Sequence, residues 1–156
     1  MRTIKFRGRK GLRGWYYGSL VQKSYINSDD EYRVVSYIID DLPIAIVPEG
    51  HVFESEVVDS STVGQFTGFK DANGVEIYDG DIFQVNGGPY HLIKWLDELG
   101  GFGTCNLCSM RQLKDWPDHC LFGIPSQGWW RDFNREIIVV GNIHDNPDFL
   151  EKFKER

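Results

Sequence analysis

This sequence predicts a mainly β, α+β fold: an N-terminal sheet region, a second all-β domain and one short helix at the C-terminal end. Three observations carry that expectation. Apolar residues recur at period two near the start and in β-branched clusters further on. Turn pairs rich in Asn, Asp and Gly separate these clusters at short intervals, and the only clear helix signal follows the last of them. Residues 1–60 read as the N-terminal β region, and residues 61–156 as a small meander or barrel that carries the helix.

The elements follow in chain order. Thr3-Ile4-Lys5-Phe6-Arg7 alternates apolar and basic residues as a strand with one buried face does, and Gly8-Arg9-Lys10-Gly11 reads as a turn. Trp15, Tyr17, Leu20 and Val21 suit a second strand pairing back on the first. Asn27-Ser28-Asp29-Asp30-Glu31 is a polar loop. The β-branched stretch Tyr32–Val47 is interrupted at Asp40-Asp41-Leu42-Pro43, which predicts two short strands. Thr62–Lys70 suits a strand, Asp71-Ala72-Asn73-Gly74 a tight turn and Val75–Tyr78 the returning strand. Asp79-Gly80-Asp81 and Asn86-Gly87-Gly88 are further turns, flanking Ile82–Val85 and leading into Tyr90–Trp95. Residues 97–136 are less regular, with at most a helical turn within Met110–Lys114. Ile137–Val140 is an apolar β-branched run that predicts a strand covered on both faces. Asn146-Pro147 starts the helix, Asn as N-cap and Pro at the first helical position, with Phe149, Leu150 and Phe153 on its apolar side.

Composition narrows the functional classes. Hydrophobic residues make up 41% and aromatics 14% of the 156 residues, too much for a disordered chain, and no apolar run approaches the length of a membrane helix. Basic residues interrupt every apolar run near the start, so no secretory leader is expected, and three cysteines are an odd number for a disulfide framework. A cytosolic chain with reduced thiols is the expectation. The net charge of -6 hides an asymmetry: Arg2, Lys5, Arg7, Arg9, Lys10, Arg13 and Lys23 occupy residues 1–24 with no acid among them. Lys5, Arg7, Arg9, Lys10 and Arg13 are therefore candidate nucleic-acid contacts, since clustered cations bind phosphates by counterion release. The alternative is that this basic strand lies against the chain's own acidic surface, and it is the stronger of the two at a pI near 5.2.

Two segments resemble the YopX family of bacteriophage and prophage proteins. They are Thr62-Val63-Gly64-Gln65-Phe66-Thr67-Gly68-Phe69-Lys70-Asp71 with Gly74–Ile82, and Val140-Gly141-Asn142-Ile143-His144-Asp145-Asn146-Pro147; the opening Ile4-Lys5-Phe6-Arg7 is similar too. The resemblance implies an SH3-like β-barrel in the C-terminal part, an accessory role in a phage or prophage, and a bacterial host cell as the location. It carries no catalytic or binding residue over to this chain. His144 departs from the pattern, standing where an aromatic such as Tyr is expected.

Four constellations could carry chemistry. Cys105-x-x-Cys108 with His119 and Cys120 has the residue types of a zinc site, but adjacent His119 and Cys120 point apart in an extended chain, and unrelated cysteines are the simpler reading. Glu76, Asp79 and Asp81 could bind a divalent cation or exchange protons; yet Asp beside Gly is what a tight turn requires, because its carboxylate accepts from nearby backbone amides. His51, His91, His119 and His144 are scattered and lack a nucleophile context. Trp116, Trp129 and Trp130, with Phe122, Phe133, Arg131 and Arg135 nearby, fit a core first, then a protein interface, then base stacking. No phosphate-loop glycine pattern is present. The expectation is a non-enzymatic protein-interaction module without a cofactor, with self-association open and no membrane contact; nucleic-acid binding through the basic N-terminus is the alternative.

Overall fold

The computed structural model describes residues 3–40, 55–97, 100–107 and 136–148. Nine strands account for most of them: β1 Phe6–Arg9, β2 Trp15–Ile26, β3 Tyr32–Ile39, β4 Ser55–Lys70, β5 Glu76–Tyr78, β6 Asp81–Val85, β7 Tyr90–Leu96, β8 Gly101–Asn106 and β9 Ile137–Asn142. One 3-10 turn, Gly11–Arg13, links β1 to β2. The fold is thus mainly β. Two compact units, Met1–Phe66 and Thr67–Arg156, divide within β4.

In the first unit β1, β2, β3 and β4 pair antiparallel in sequence, and β1 also pairs with β4. Residues opposite one another share a face, so parity sorts the side chains. The even positions near the base of the β2–β3 hairpin turn inward: Ser36 and Ile38 of β3 are buried, as is Val58 of β4, whereas Ile26, Tyr32 and Val34 at its far end are exposed. Gly8 lies over Val58 so closely that a β-carbon there would stand 2.5 Å from a Val58 methyl. Ser36 is buried because it is hydrogen-bonded, taking a bond from Gln22 and giving one to Ser60. The β2–β3 ladder continues through Ile26 and Tyr32, whereas β4 matches β3 only over Ser36–Ile39. Its loop is held by Asn27, whose side-chain oxygen accepts from the Asp29 and Glu31 amides.

In the second unit β6, β7, β8 and β9 form one antiparallel sheet in the order β8-β7-β6-β9. Alternation along β6 buries Ile82 on one face, with Leu92, Leu96, Cys105 and Leu107, and Phe83 on the other, with Ile77, Ile93, Phe102 and Ile137. Val85-Asn86-Gly87-Gly88 turns β6 into β7 with Asn86 and Gly87 both at positive φ, the geometry of a type I′ turn.

Several expectations are refined. β2 extends to Ile26 and β4 begins at Ser55, well beyond the spans the apolar pattern marks. β8 lies where irregular chain is expected, because Gly101 and Gly103 mask its alternation. Gly103 is needed there: a β-carbon would stand 2.4 Å from a Leu96 methyl. β9 is buried at Ile137, but Val140 is 37% exposed, so cover on both faces stops midway along the strand. A strand at Ile44–Val47 and the helix beyond Asp148 lie outside the described residues; Pro147 and Asp148 are helical.

Candidate functional site

The carboxylates that could have made a reactive cluster are occupied by the fold. Asp71, 6% exposed, accepts from the Asn73 and Val75 amides through one oxygen and from the Val139 amide through the other, joining the β4–β5 turn to β9. Asp79 accepts from the Trp95 amide at 3.0 Å and from Lys94 Nζ at 3.2 Å, which fastens the β5–β6 turn to β7. Gly80 holds the same turn at φ +84°, its amide donating to Ile93 and its carbonyl accepting from Ile143. Asp81 is 1% exposed and accepts from the Tyr78 amide at 2.7 Å, while Glu76 accepts from the Tyr78 hydroxyl. Each oxygen named here faces a donor that the backbone or a neighbour supplies. Among the described residues, no three His, Cys, Asp or Glu side chains gather as a metal ion would require.

The segment after β9 works the same way. Asn142, 8% exposed, accepts from the His144 and Asp145 amides with Oδ1 and donates to Asp145 with Nδ2. Asn146 folds back, its Oδ1 accepting from the Asn142 amide at 3.1 Å. That approach needs the bare backbone of Gly141, where a β-carbon would stand 2.3 Å from Asn146 Oδ1. Two asparagines and a glycine thus close the end of β9 as a latch.

The zinc and tryptophan candidates fall largely outside the described residues: Cys108, His119, Cys120, Trp116, Trp129 and Trp130 all do, as does His51. Cys105 is fully buried in the Ile82 cluster, the position of a small hydrophobe. His91 sits partly buried across from Phe83, the rings stacked at 5.3 Å, and burial lowers its pKa below 6.5.

The basic candidates separate by role. Arg7 is 6% exposed, its guanidinium 4.6 Å from the centroid of the Trp15 ring. Lys10 pairs with Glu56, and the Arg9 amide donates to Thr62. Arg13 is exposed at the end of the 3-10 turn. An open pocket of about 300 Å³ beside them is lined by Arg9, Gly11, Leu12, Asp59 and Thr62.

What these residues belong to is a face. In the first unit the odd positions of β2 and β3 look outward, and the register sets Trp15 beside Arg9, Tyr17 beside the covered Arg7, Val21 beside Tyr37, and Tyr25 beside Arg33. Tyr17 is 44% and Tyr25 51% exposed. Lys5 lies over the Tyr17 ring at 5.9 Å and Lys23 over Tyr37 at 5.4 Å, so two cations meet two aromatic rings on one surface, in addition to the covered Arg7–Trp15 pair. Acids alongside include Asp59, opposite Arg9, and Glu31, paired with Arg33. Sequence reading marks the cations but misses Tyr25, Arg33 and Tyr37; the signal that finds them is the run of odd positions Trp15, Tyr17, Val21, Lys23, Tyr25 along β2.

Comparison with known proteins places the chain. Protein EF1440 from Enterococcus faecalis, a solved crystal structure, aligns over 96% of this chain and 99% of its own, with TM-score 0.50 and 25% identity. No curated protein matches. The model of the YopX protein family matches residues 5–151, nearly the whole length. The chain therefore belongs to the YopX family.

Proposed function

We propose that this chain is a non-enzymatic binding module, an accessory protein of a phage or prophage acting in the bacterial cytosol, and that it meets its partner through the outward face of β1, β2 and β3. One observation carries the reading. The residues with chemical potential in the second unit are engaged in turns and latches, whereas the first unit presents exposed tyrosines interleaved with cations. In this reading the second unit is an SH3-like barrel with a short C-terminal helix, and it serves as a scaffold; the antiparallel pairing of its short strands and the helical Pro147–Asp148 support that. Sequence alone puts a protein partner first, through Trp116, Trp129 and Trp130. The cation–aromatic pairs of the described face favour the other partner, a nucleic acid.

The test uses the full chain as bait in extracts of host cells after prophage induction, beside a variant carrying Tyr17→Ser, Lys23→Ser and Tyr25→Ser. The proposal expects protein or nucleic acid retained by the first to be lost from the second. Equal retention by both would overturn the assignment of this face.

A further inference from the structure

We infer that the outward face of β1, β2 and β3 binds single-stranded nucleic acid, with bases stacked on Tyr17 and Tyr25 and the strand's phosphates held by Lys23 and Arg33. The inference rests on the binding face proposed above and names its ligand.

Geometry and charge point the same way. From Trp15 to Tyr25 the face runs along ten residues of extended chain, roughly 33 Å, long enough for several nucleotides laid out one after another. Cations are spread along it: Lys5 lies over Tyr17 at one end, Arg33 stands opposite Tyr25 at the other, and Lys23 lies over Tyr37 between them, next to Val21. A sheet that offers aromatic rings flanked by Lys and Arg suits unpaired bases: each ring takes a base face whatever its identity, and each cation takes a phosphate. Duplex DNA has its bases stacked on one another and cannot use the rings, and the acidic remainder of the chain repels its bulk. The acid paired with Arg33 does not obstruct. Both partners of the Arg33–Glu31 pair are more than half exposed, and exposed pairs contribute little, so a phosphate can replace the carboxylate.

A protein partner or an anionic membrane would find the same tyrosines, and the experiment separates these. The full chain is titrated into a fluorescent oligothymidylate of roughly twenty nucleotides, longer than single-strand sites of about 4–16 nucleotides, and followed by anisotropy. Binding is expected at about 50 mM salt, weakening steeply towards 200 mM. Tyr17→Ser and Tyr25→Ser should each weaken it about five- to hundredfold. Lys23→Ser and Arg33→Ser should each flatten the log–log salt slope by about 0.7. Tyr32→Ser lies on the opposite parity of the same hairpin, is comparably exposed, and should leave affinity unchanged. Circular dichroism of each variant confirms that the fold is retained. Duplex of the same length binding as tightly would overturn the inference, and so would a Tyr25→Ser variant that binds as well as the parent. No retention at low salt would overturn it too. If the bait experiment still shows loss from the triple variant in that case, the binding face stands and only its ligand class fails.

Discussion

Replacing Gly141 by Ala places a β-carbon 2.3 Å from Asn146 Oδ1 and 3.0 Å from its Cγ. The Asn146 carboxamide must swing away, and the Asn142 amide, on a residue only 8% exposed, loses its acceptor. An unmet buried donor costs about 1–3 kcal/mol, while the stiffer unfolded chain of the alanine variant returns about 0.4–1 kcal/mol. The expected net loss is about 1–2 kcal/mol, a fall in Tm of about 2–8 °C for a chain of this size. Asn146→Ala removes the same bond by another route. The double variant should then be barely worse than either single one, because the bond can be lost only once. Urea midpoints at constant slope, taken over the four-member cycle, measure this directly. Any other duty of Asn146 enters both of its arms equally and cancels. Additivity within about 0.5 kcal/mol would refute the latch.

Other outcomes follow from the same reasoning. Asp71→Asn keeps the shape but turns one acceptor into a donor facing the Asn73, Val75 or Val139 amide, so stability should fall by about 1.5–3 kcal/mol in a urea titration; an unchanged midpoint would contradict the count of bonds. Phe83→Ala empties a fully buried site against Ile77, Ile93 and Ile137 and should cost about 3–5 kcal/mol by the same assay. His91 has a folded pKa lowered by burial, so the unfolded chain takes up a proton first as pH falls. Its contribution is fully present above pH 6.5 and is lost as the pH drops from there through the lowered folded value. Melting curves at a series of pH values should show a smaller acid-side decline for His91→Gln than for the parent, and parallel profiles would contradict the assignment.

Much of the β character was readable because turns are written in local chemistry. Asp71 to Gly74 and Asn86-Gly87 announce their hairpins through residues that tolerate positive φ or accept from nearby amides, and both turns are where those residues place them. The role of Asn146 was not readable. Its N-cap position predicts a bond forward into the helix, whereas its observed bond runs back to Asn142, a choice made by the opening above Gly141. β8 escaped for a related reason: its glycines look like loop until Leu96 is seen filling the space above Gly103. The candidate site was half visible. Counting charges finds the basic head, but only the fold shows that Arg7 is covered despite its parity, and strand register sets Tyr25 opposite Arg33 with Lys23 two residues along the same face.

In the proposed division of labour, motif turns hold the protein together and an aromatic, basic face meets its ligand. Urea midpoint and oligothymidylate affinity, both measured on Asp79→Asn and on Tyr25→Ser, test that division. Asp79→Asn should lower the midpoint, since it weakens the bonds to Trp95 and Lys94, and leave the affinity of the folded protein intact; Tyr25→Ser should do the reverse. An Asp79→Asn protein as stable as the parent but unable to bind would contradict the account and return the chemistry to the motif.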